Sequence, residues 1–531
     1  MTDTDSQGAT GSAPSVLVTG AAGGLGVHLV RALHEQGWEV IAYDVRTVEE
    51  TGRQSLVSDL DGVTWMRGRG AHLEPAVLRR CQAVVHAAGI ASLSARQPDL
   101  IRVNHDLTEA LFRQCAITGV EHFVYISCAS VYRTDAGVRT EQSATEAYNA
   151  FDESKLDAED TLQKLGDQLT RAPALTILRL GLLYGPGCTS MGAGLIPLPA
   201  ILRGVSRYLP GLTGGPRTNW CHVEDAASAT ALVVDSDQGR GRIFNVADET
   251  PLSFGEVLTS IIEGYGIDLG PSVRMPRVAL WTLLGPLLDT NWSMEQMRGV
   301  LRFLWRRVLD DHGLDSPLVP RLNRDALFYI RDDAIVVADA MRQLGWEPKW
   351  PDFRQGIAAT IRWYQQQGWA PRFDLDALAE RRNGESREAK FSYQEHLRGQ
   401  LDAEGKRQPV EIDLRQDWPS LPVPPTRRQG RLEGELTIPG IADSAAIKGT
   451  VDCRWLPTPE LEYQFGFRNL NGRACRFRGK RQVNPTSPLL SALHLRGTLY
   501  DDRGRTAGTV TLRSAEGVLP LLAATRATET T

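Results

Sequence analysis

The chain has 531 residues, of which 42% are apolar and 23% charged, so it is a globular protein of roughly two to four domains and not a disordered chain. Its net charge of −5 excludes a global basic field that would draw nucleic acid. Its apolar runs are shorter than the ~18–20 residues of a bilayer span. Seven scattered cysteines without a C-x-x-C pair argue against a disulfide framework and a zinc finger. We therefore expect a cytoplasmic protein without a metal site.

The texture of the sequence changes along the chain. The first part alternates apolar runs with helical patterns, which predicts an α/β domain on a parallel sheet. The last part consists of short alternating segments separated by Gly, Asn, Asp and Pro, which predicts an antiparallel all-β barrel or sandwich. The predicted regions are a disordered tail (1–14), the α/β domain (15–371), a charged and proline-containing linker (372–389), the β domain (390–526) and a second tail (527–531).

The stretch SVLVTGAAGGLGVHLVRALHEQGWEVIAYD predicts a strand, a glycine turn, a helix and a second strand in that order. Gly20, Gly23 and Gly26 follow the first strand at the spacing G-x-x-G-x-x-G. This spacing lets the backbone turn tightly and approach a pyrophosphate at the helix N-terminus. Asp44 ends the second strand, where a carboxylate accepts hydrogen bonds from ribose hydroxyls and repels a 2′-phosphate. The pattern predicts a dinucleotide site that prefers NAD to NADP.

Residues 15–371 resemble the extended short-chain dehydrogenase/reductase superfamily, which contains the NAD-dependent epimerases and dehydratases. The resembling motifs are VVHAAG (84–89), RVNHDLTEAL, FVYISCASVY (123–132), SKLDAED, ILRLGLLYGPG (177–187), WCHVEDAASA (220–229) and FNVADETPLSF (244–254). The resemblance implies a Rossmann-like sheet with a helical region that covers the substrate. The cofactor-binding residues that it implies are Gly20, Gly23, Gly24, Leu25, Gly26, Asp44, Ala87, Ala88, Gly89, Asn104 and Lys155.

Within this superfamily the chain is most similar to the 3β-hydroxysteroid dehydrogenase group. GVEHFVYISCASVY, LRLGLLYGPG and the Trp- and Leu-rich segment after residue 276 carry the similarity. It implies NAD-dependent oxidation or reduction of a hydroxyl or ketone on an apolar, steroid- or terpenoid-like substrate. Nucleotide-sugar epimerases and dehydratases share most of these motifs, and they remain the alternative enzyme class.

Two of the three catalytic positions that the family implies are altered. The Tyr-x-x-x-Lys pair reads Phe151 to Lys155, so the phenol that moves the substrate proton is absent. Cys128 occupies the Ser/Thr position that polarises the substrate oxygen, and a thiol is a poorer donor than a hydroxyl. Ser127 and Ser130 flank it as candidates for that contact. Tyr148 is the nearest phenol in sequence, and we expect it one helical turn before Phe151 on a similar helix face.

These departures leave three functions open. The protein still moves hydride, with Tyr148, Asp152, Glu153 or the substrate itself carrying the proton. Alternatively it binds NAD for a reaction that needs no phenol, such as a decarboxylation or an isomerisation. In the third interpretation it is a cofactor-responsive binding protein. In all three, Lys155 holds the nicotinamide ribose.

Two further regions suggest partners. VALWTLLGPLL and MRGVLRFLWRRVL are rich in Leu, Trp and Arg, which is typical of structural packing, of a lid over an apolar substrate or of peripheral membrane contact. The β domain resembles an accessory domain of cholesterol-oxidase-like flavoproteins. Its alternation predicts that Arg476, Arg478 and Lys480 share one face, which is either solvated or meets an anionic partner. A homodimer is also open.

Overall fold

The computed structural model divides into two compact units, residues 1–280 with 301–373 and residues 281–300 with 374–531. The predicted tails at 1–12 and 527–531, most of the predicted linker and the segment VALWTLLGPLL lie outside the described residues. The residues that the structure describes are 13–69, 73–133, 137–203, 209–274, 291–320, 332–373, 391–403, 405–418, 428–454, 460–482 and 494–514.

The first unit alternates strands and helices, as the sequence predicts. Its strands are β1 (Ser15–Thr19), β2 (Glu39–Asp44), β3 (Thr64–Arg67), β4 (Cys81–His86), β5 (His122–Cys128), β6 (Val138–Arg139), β7 (Ala174–Leu180), β8 (Leu182–Tyr184), β9 (Leu209–Thr213), β10 (Arg217–Thr218), β11 (Trp220–His222), β12 (Ile243–Val246), β13 (Leu252–Ser253), β14 (Leu269–Arg274) and β15 (Ile335–Val336).

The helices of the chain lie between these strands and after them. They are α1 (Gly26–Glu35), α2 (Pro75–Leu78), α3 (Gln97–Leu100), α4 (Leu107–Thr118), α5 (Ala150–Gln168), α6 (Pro197–Arg203), α7 (Val223–Asp235), α8 (Phe254–Gly264), α9 (Asn291–His312), α10 (Asp339–Gln343) and α11 (Phe353–Gln366).

Seven parallel strands form the main sheet in the order β12-β7-β5-β4-β1-β2-β3. The predicted Rossmann-like parallel sheet is therefore confirmed. The strand order reverses between β1 and β4, and ligands of such sheets bind in the crevice at the carboxyl ends of the strands beside this point. Thr19 ends β1 directly beside His86 at the end of β4. The chain segments that follow these two residues border the crevice.

Both faces of the sheet are buried, which explains why its strands are continuous apolar runs. All five residues of β1 are buried. One core cluster packs α1 and α7 against one face, and a second packs α4 and α5 against the other. A third cluster joins β8, α6, α8, α9 and α11 around buried aromatic rings. Tyr184, Trp220 and Phe353 form its centre, with the Phe353 ring centroid 4.7 Å from each of the other two.

The second unit contains an antiparallel β meander, and its strands close into an eight-stranded barrel. Of the two predicted architectures, barrel and sandwich, the barrel is present. Its strands are β16 (Phe391–Ala403), β17 (Lys406–Trp418), β18 (Arg428–Ile438), β19 (Ala442–Arg454), β20 (Glu460–Arg468), β21 (Ala474–Gln482), β22 (His494–Tyr500) and β23 (Thr506–Ser514).

Pairing between the first and the last strand closes the barrel, with Leu397 opposite Ser514 and Asp402 opposite Thr509. Alternate side chains fill the interior with Leu, Ile, Val and aromatic groups. The Phe477 ring covers the cross-strand pair Gly479 and Gly497, where added Cβ atoms would lie 2.5 and 2.4 Å from it. This aromatic side chain occupies the space that two glycines leave in a strongly curved sheet.

Charged residues of the barrel divide between the two surfaces. Arg476, Arg478 and Lys480 are exposed on the outer face, where the alternation predicts them. Lys480 Nζ lies 2.9 Å from the Glu460 carboxylate on the neighbouring strand. Arg481, one residue further, points to the opposite face and forms a buried 2.7 Å ion pair with Glu395. No described helix is long and apolar enough to cross a membrane.

Candidate active site

The glycine turn between β1 and α1 leaves no room for side chains. Gly20 has φ +72°, and a Cβ there would lie 2.7 Å from the Ala88 backbone nitrogen. A Cβ on Gly26 would lie 2.0 Å from the Gly20 carbonyl oxygen, and one on Gly24 would lie 3.0 Å from the Gly187 carbonyl. Leu25 is the residue before the first turn of α1. Only glycine fits this tight turn at the start of α1, where the spacing predicts a pyrophosphate.

Asp44 ends β2 beside the glycine turn. Its carboxylate accepts hydrogen bonds from the Ala22 and Arg46 backbone N–H groups, each at 3.0 Å. These bonds fix the carboxylate at the edge of the crevice, where it remains half-exposed. A carboxylate held there can accept hydrogen bonds from the two hydroxyls of an adenosine ribose.

The segment after β4 forms the opposite wall of the crevice. The Ala87 N–H donates to the Thr19 carbonyl at 3.2 Å, and the Ala88 N–H donates to the Thr19 hydroxyl oxygen at 3.4 Å. These bonds keep Ala87 and Ala88 against Gly20. A Cβ on Gly89 would lie 3.6 Å from the Lys155 Nζ, so this wall reaches from the glycine turn to Lys155.

His86 lies below this wall in a buried chain of hydrogen bonds. Its Nδ1 is 2.7 Å from the Thr19 hydroxyl and its Nε2 is 2.9 Å from the Thr108 hydroxyl. Thr108 donates its proton to the Asn104 carbonyl, so it accepts from the histidine Nε2–H. Burial lowers the pKa of His86 to about 3. The imidazole is therefore neutral, and it links the end of β1 to α4 through Thr19 and Thr108.

Asn104 lies in a one-turn π-helix, Ile101–Asp106, that precedes α4. Its side chain is fully buried and accepts from the Ile90 N–H at 2.7 Å. Its amide donates to the Ile90 carbonyl at 3.2 Å and to the Ser154 hydroxyl at 3.0 Å. Asn104 thus ties the loop after Gly89 to the helix that carries Lys155.

Lys155 projects from α5 toward the carboxyl end of β5. Its Nζ donates to the Ile126 carbonyl at 2.9 Å and lies 4.8 Å from the Tyr125 ring centroid. Burial lowers the pKa of Lys155, although the nearby Cys128 and Glu159 groups oppose this shift. The ammonium group has three N–H donors and gives one of them to the Ile126 carbonyl. A contact to a ribose hydroxyl requires a further donor.

Phe151, at the position of the missing tyrosine, is buried on the first turn of α5. Asn149 caps this helix by accepting from the Phe151 and Asp152 N–H groups, each at 3.0 Å. The helix therefore begins after Tyr148, and the expectation that Tyr148 shares its face is wrong. The Tyr148 hydroxyl instead donates to the Glu146 carboxylate at 3.2 Å.

Cys128, Ser130 and Asp152 form a cluster at the end of β5. The Ser130 Oγ is 3.1 Å from the Cys128 Sγ and 2.6 Å from the Asp152 Oδ1. Burial, together with the charge of Asp152, raises the pKa of the Cys128 thiol to about 12. The thiol is therefore protonated at neutral pH and has little nucleophilic character.

Ser127 points to the other side of β5, into the core. Its hydroxyl donates to the Glu159 carboxylate, which also accepts three hydrogen bonds from Arg179, the shortest at 2.6 Å. All three residues are buried. This network fastens α5 to β5 and β7, so Ser127 holds the catalytic helix in place.

The loop after β8 lies against the glycine turn. Two side chains that the sequence pattern does not mark as site residues hold this loop. Arg53 Nε donates to the Gly187 carbonyl at 2.7 Å, and His28 Nε2 donates to the Pro186 carbonyl at 2.9 Å. Both side chains are buried. The signal for His28 is its place on α1 two residues after Gly26. No pattern marks Arg53, because the loop that it holds lies far away in sequence.

Residues 16–247 match the family described as NAD dependent epimerase/dehydratase family. The match covers 232 of the 531 residues. The match contains the glycine turn, Asp44, the Cys128 cluster and Lys155. The family is NAD-dependent, so NAD is the cofactor. The residues fit it, since backbone atoms exclude side chains at the three turn glycines, so the turn beside α1 carries no Cβ atoms at these positions.

Several curated proteins are similar to the chain. A UDP-glucose 4-epimerase of Erwinia amylovora is 34% identical over 23% of this chain and 40% of that protein. A 3 beta-hydroxysteroid dehydrogenase/Delta 5-->4-isomerase of Mycobacterium tuberculosis is 25% identical over 66% of this chain and 90% of that protein. A ceramide reductase of Caulobacter vibrioides is 29% identical over 64% of this chain and 98% of that protein. The chain thus spans less than half of the epimerase.

Among solved structures, the UDP-glucuronic acid 4-epimerase of Bacillus cereus with NAD has a TM-score of 0.49 at 16% identity, covering 66% of this chain and 99% of that one.

In this site, the chemistry that NAD would supply is acceptance or donation of a hydride. Gly20, Gly23 and Gly26 would hold its pyrophosphate, Asp44 its adenosine ribose and Lys155 its nicotinamide ribose. The chain's own part of the reaction is then to bind the substrate oxygen and to move its proton. The described residues contain no group of three or more His, Cys, Asp or Glu side chains placed to hold a metal ion.

Proposed function

We propose that the first unit is an NAD-dependent oxidoreductase that interconverts a secondary hydroxyl and a ketone on an apolar, steroid- or terpenoid-like substrate. The observation that carries this proposal is the position of Lys155. Its Nζ lies between the Ile126 carbonyl and the Gly89 backbone, on the side of the crevice where the Cys128 cluster is also found. A cofactor ribose and a substrate oxygen can therefore be held next to each other.

The proposed substrate class is supported by the share of this chain that each similarity covers. The steroid dehydrogenase and the ceramide reductase are each similar over about two thirds of this chain. The epimerase similarity covers 23% of it. The steroid dehydrogenase and ceramide reductase matches are 365 and 347 residues long, which is more than the 232 residues of the family match. The region that packs around Tyr184 and Phe353 would cover the substrate.

Phe151 makes the proposed site unusual, because a phenyl ring cannot transfer a proton. The proposal therefore requires another proton acceptor within the site. The alternative of a nucleotide-sugar epimerase is supported by the higher identity of the Erwinia protein over its short match. Both reactions begin with removal of hydride from a carbinol carbon, and the substrate distinguishes them.

The test is reduction of NAD by the purified full-length protein with a panel of 3β- and 17β-hydroxysteroids. Separately, formation of the 4-epimer from UDP-glucose is measured, because an epimerase returns the hydride to the sugar and leaves no net reduction of NAD. The Phe151→Tyr variant is run beside the natural protein. Turnover of a steroid by the natural protein supports the proposal. Turnover by the tyrosine variant alone would mean that the site binds cofactor and substrate without redox chemistry. Conversion of UDP-glucose alone would favour the epimerase.

A further inference from the structure

A hydroxyl and a carboxylate lie together beside the position of the missing phenol. Ser130 follows the last residue of β5 in a short turn, and Asp152 follows Phe151 on α5. The Ser130 Oγ to Asp152 Oδ1 distance is 2.6 Å, and Ser130 also contacts the Cys128 Sγ at 3.1 Å. A carboxylate next to a hydroxyl in a site that lacks its usual base is a candidate proton acceptor.

Proton counting gives the direction of this chain of hydrogen bonds. An ionised carboxylate only accepts, so the single Ser130 proton is donated to Asp152. The Cys128 thiol, which keeps its own proton, then donates to the Ser130 oxygen. A lone pair of that oxygen remains for another donor, such as the hydroxyl of a bound alcohol.

The two residues differ in access to the crevice. Ser130 is half-buried, whereas Asp152 is fully buried and cannot meet a substrate directly. Asn149 fixes Asp152 at both ends, because its amide donates to the Asp152 Oδ2 at 2.8 Å and its oxygen accepts from the Asp152 N–H. The carboxylate is thus held behind the serine in one orientation.

We propose that Ser130, backed by Asp152, replaces the absent phenol as the proton acceptor and donor for the substrate oxygen. This proposal rests on the proposed oxidoreductase function. Ser130 is the catalytic residue in it, since its Oγ would touch the substrate. Asp152 is a positioning residue that acts through Ser130 and stores the proton.

The oxidation step balances as follows. The substrate O–H bond breaks and its proton passes to the Ser130 Oγ, while the Ser130 proton passes to the Asp152 Oδ1, which becomes a carboxylic acid. The carbinol C–H bond breaks with its electron pair, and this hydride reduces the oxidised nicotinamide. The C=O bond forms, so the alcohol loses two electrons and the cofactor gains them. Reduction of the ketone runs the same proton path backward.

The second hydroxyl–carboxylate pair of the site, Ser127 with Glu159, cannot serve in this way. Ser127 is buried in the core, and Arg179 lies 2.6 Å from the Glu159 carboxylate. The bidentate arginine stabilises the charged carboxylate and opposes its protonation. Access to the crevice thus selects Ser130, with Asp152 behind it, over Ser127.

The activity test compares Asp152→Asn, Ser130→Ala and Ser130→Thr with Asp160→Asn, which removes an exposed carboxylate from the same helix. The substrate is the hydroxysteroid that the natural protein oxidises. We expect Asp152→Asn and Ser130→Ala to lower kcat by about 100-fold or more with KM changed little, in the range of general acid–base effects. Ser130→Thr keeps the hydroxyl and most of the activity, and Asp160→Asn matches the natural protein.

The decisive variant restores the phenol. If Asp152 serves the proton path, Phe151→Tyr added to Asp152→Asn recovers the lost turnover, because the tyrosine supplies its own acid and base. A residue that only caps α5 would show no such rescue, and its loss would instead lower Tm. If Asp152→Asn does not fold, Ser130→Ala with and without Phe151→Tyr gives the same comparison.

A second readout needs neither substrate nor cofactor. Removal of the Asp152 charge lowers the Cys128 thiol pKa, so Asp152→Asn accelerates alkylation of Cys128 by iodoacetamide at alkaline pH by about tenfold, followed by peptide mass spectrometry. Equal alkylation rates in Asp152→Asn and Asp160→Asn overturn the relay. So does steroid oxidation that survives Asp152→Asn, and in that case the oxidoreductase proposal stands. Failure of the natural protein to oxidise any alcohol overturns both proposals.

Discussion

Replacing Glu159 with glutamine removes the charge at the centre of the network that fastens α5 to the sheet. Glu159 accepts from Ser127 and forms a bidentate pair with Arg179, and the side chains of the pair are 1% and 6% exposed. The Glu159→Gln variant leaves the guanidinium buried without a counter-charge. Such a break costs about 3–5 kcal/mol, because a buried charge has lost its partner.

The Arg179→Met variant leaves the opposite charge behind and should cost a similar amount. Combining Glu159→Gln with Arg179→Met removes both buried charges, so the double variant should lose much less stability than the sum of the two single variants. This non-additivity, on the order of 1–3 kcal/mol, is specific to two groups in contact.

Urea unfolding of the full chain, followed by tryptophan fluorescence, measures these differences. Eight of the 12 tryptophans belong to the first unit, so the signal mainly reports its unfolding. The two units are fitted as separate transitions. Single variants within about 1 kcal/mol of the natural protein would refute the buried-pair reasoning, as would a double variant whose cost equals the sum.

Three further outcomes are expected. Gly26→Ala places a Cβ 2.0 Å from the Gly20 carbonyl, so NAD binding measured by calorimetry should fall at least about tenfold while the barrel unfolds as before. Asp44→Asn should weaken NAD binding and narrow its preference over NADP, which paired titrations would show. Burial raises the pKa of Asp248 to about 8, so the native carboxyl keeps its proton where the unfolded chain has lost it. Stability therefore falls as pH rises from about 4 to about 8. The Asp248→Asn variant should show a weaker dependence of the free energy of unfolding on pH, measured by urea unfolding across this pH range. It should not be more stable than the natural protein at the acidic end of the range.

The sequence predicts the parts of the site that depend on local pattern. The glycine spacing, the strand before it and Asp44 at the end of the next strand lie within 30 residues of one another. Their geometry follows from strand-turn-helix rules, and the parallel sheet that they predict is present.

Contacts between distant segments could not be predicted in this way. The Ser127–Glu159–Arg179 network joins a strand, a helix and another strand, and their side-chain directions depend on the sheet order. The start of α5 at Ala150 depends on the Asn149 cap, and without this cap the sequence pattern places Tyr148 on the helix. The sequence pattern fits both a barrel and a sandwich, because only the pairing between β16 and β23 distinguishes the two architectures.

That closing pair has a consequence for how the barrel can be handled as a module. Because β16 and β23 are antiparallel neighbours, with Leu397 opposite Ser514, the chain enters and leaves the barrel at the same rim. The opposite rim carries short reversals such as the turn between Ala403 and Lys406. The native ends can thus be joined by a short linker and new ends opened at that turn. A circular permutant made in this way keeps every strand neighbour and has no unpaired edge through which copies could aggregate.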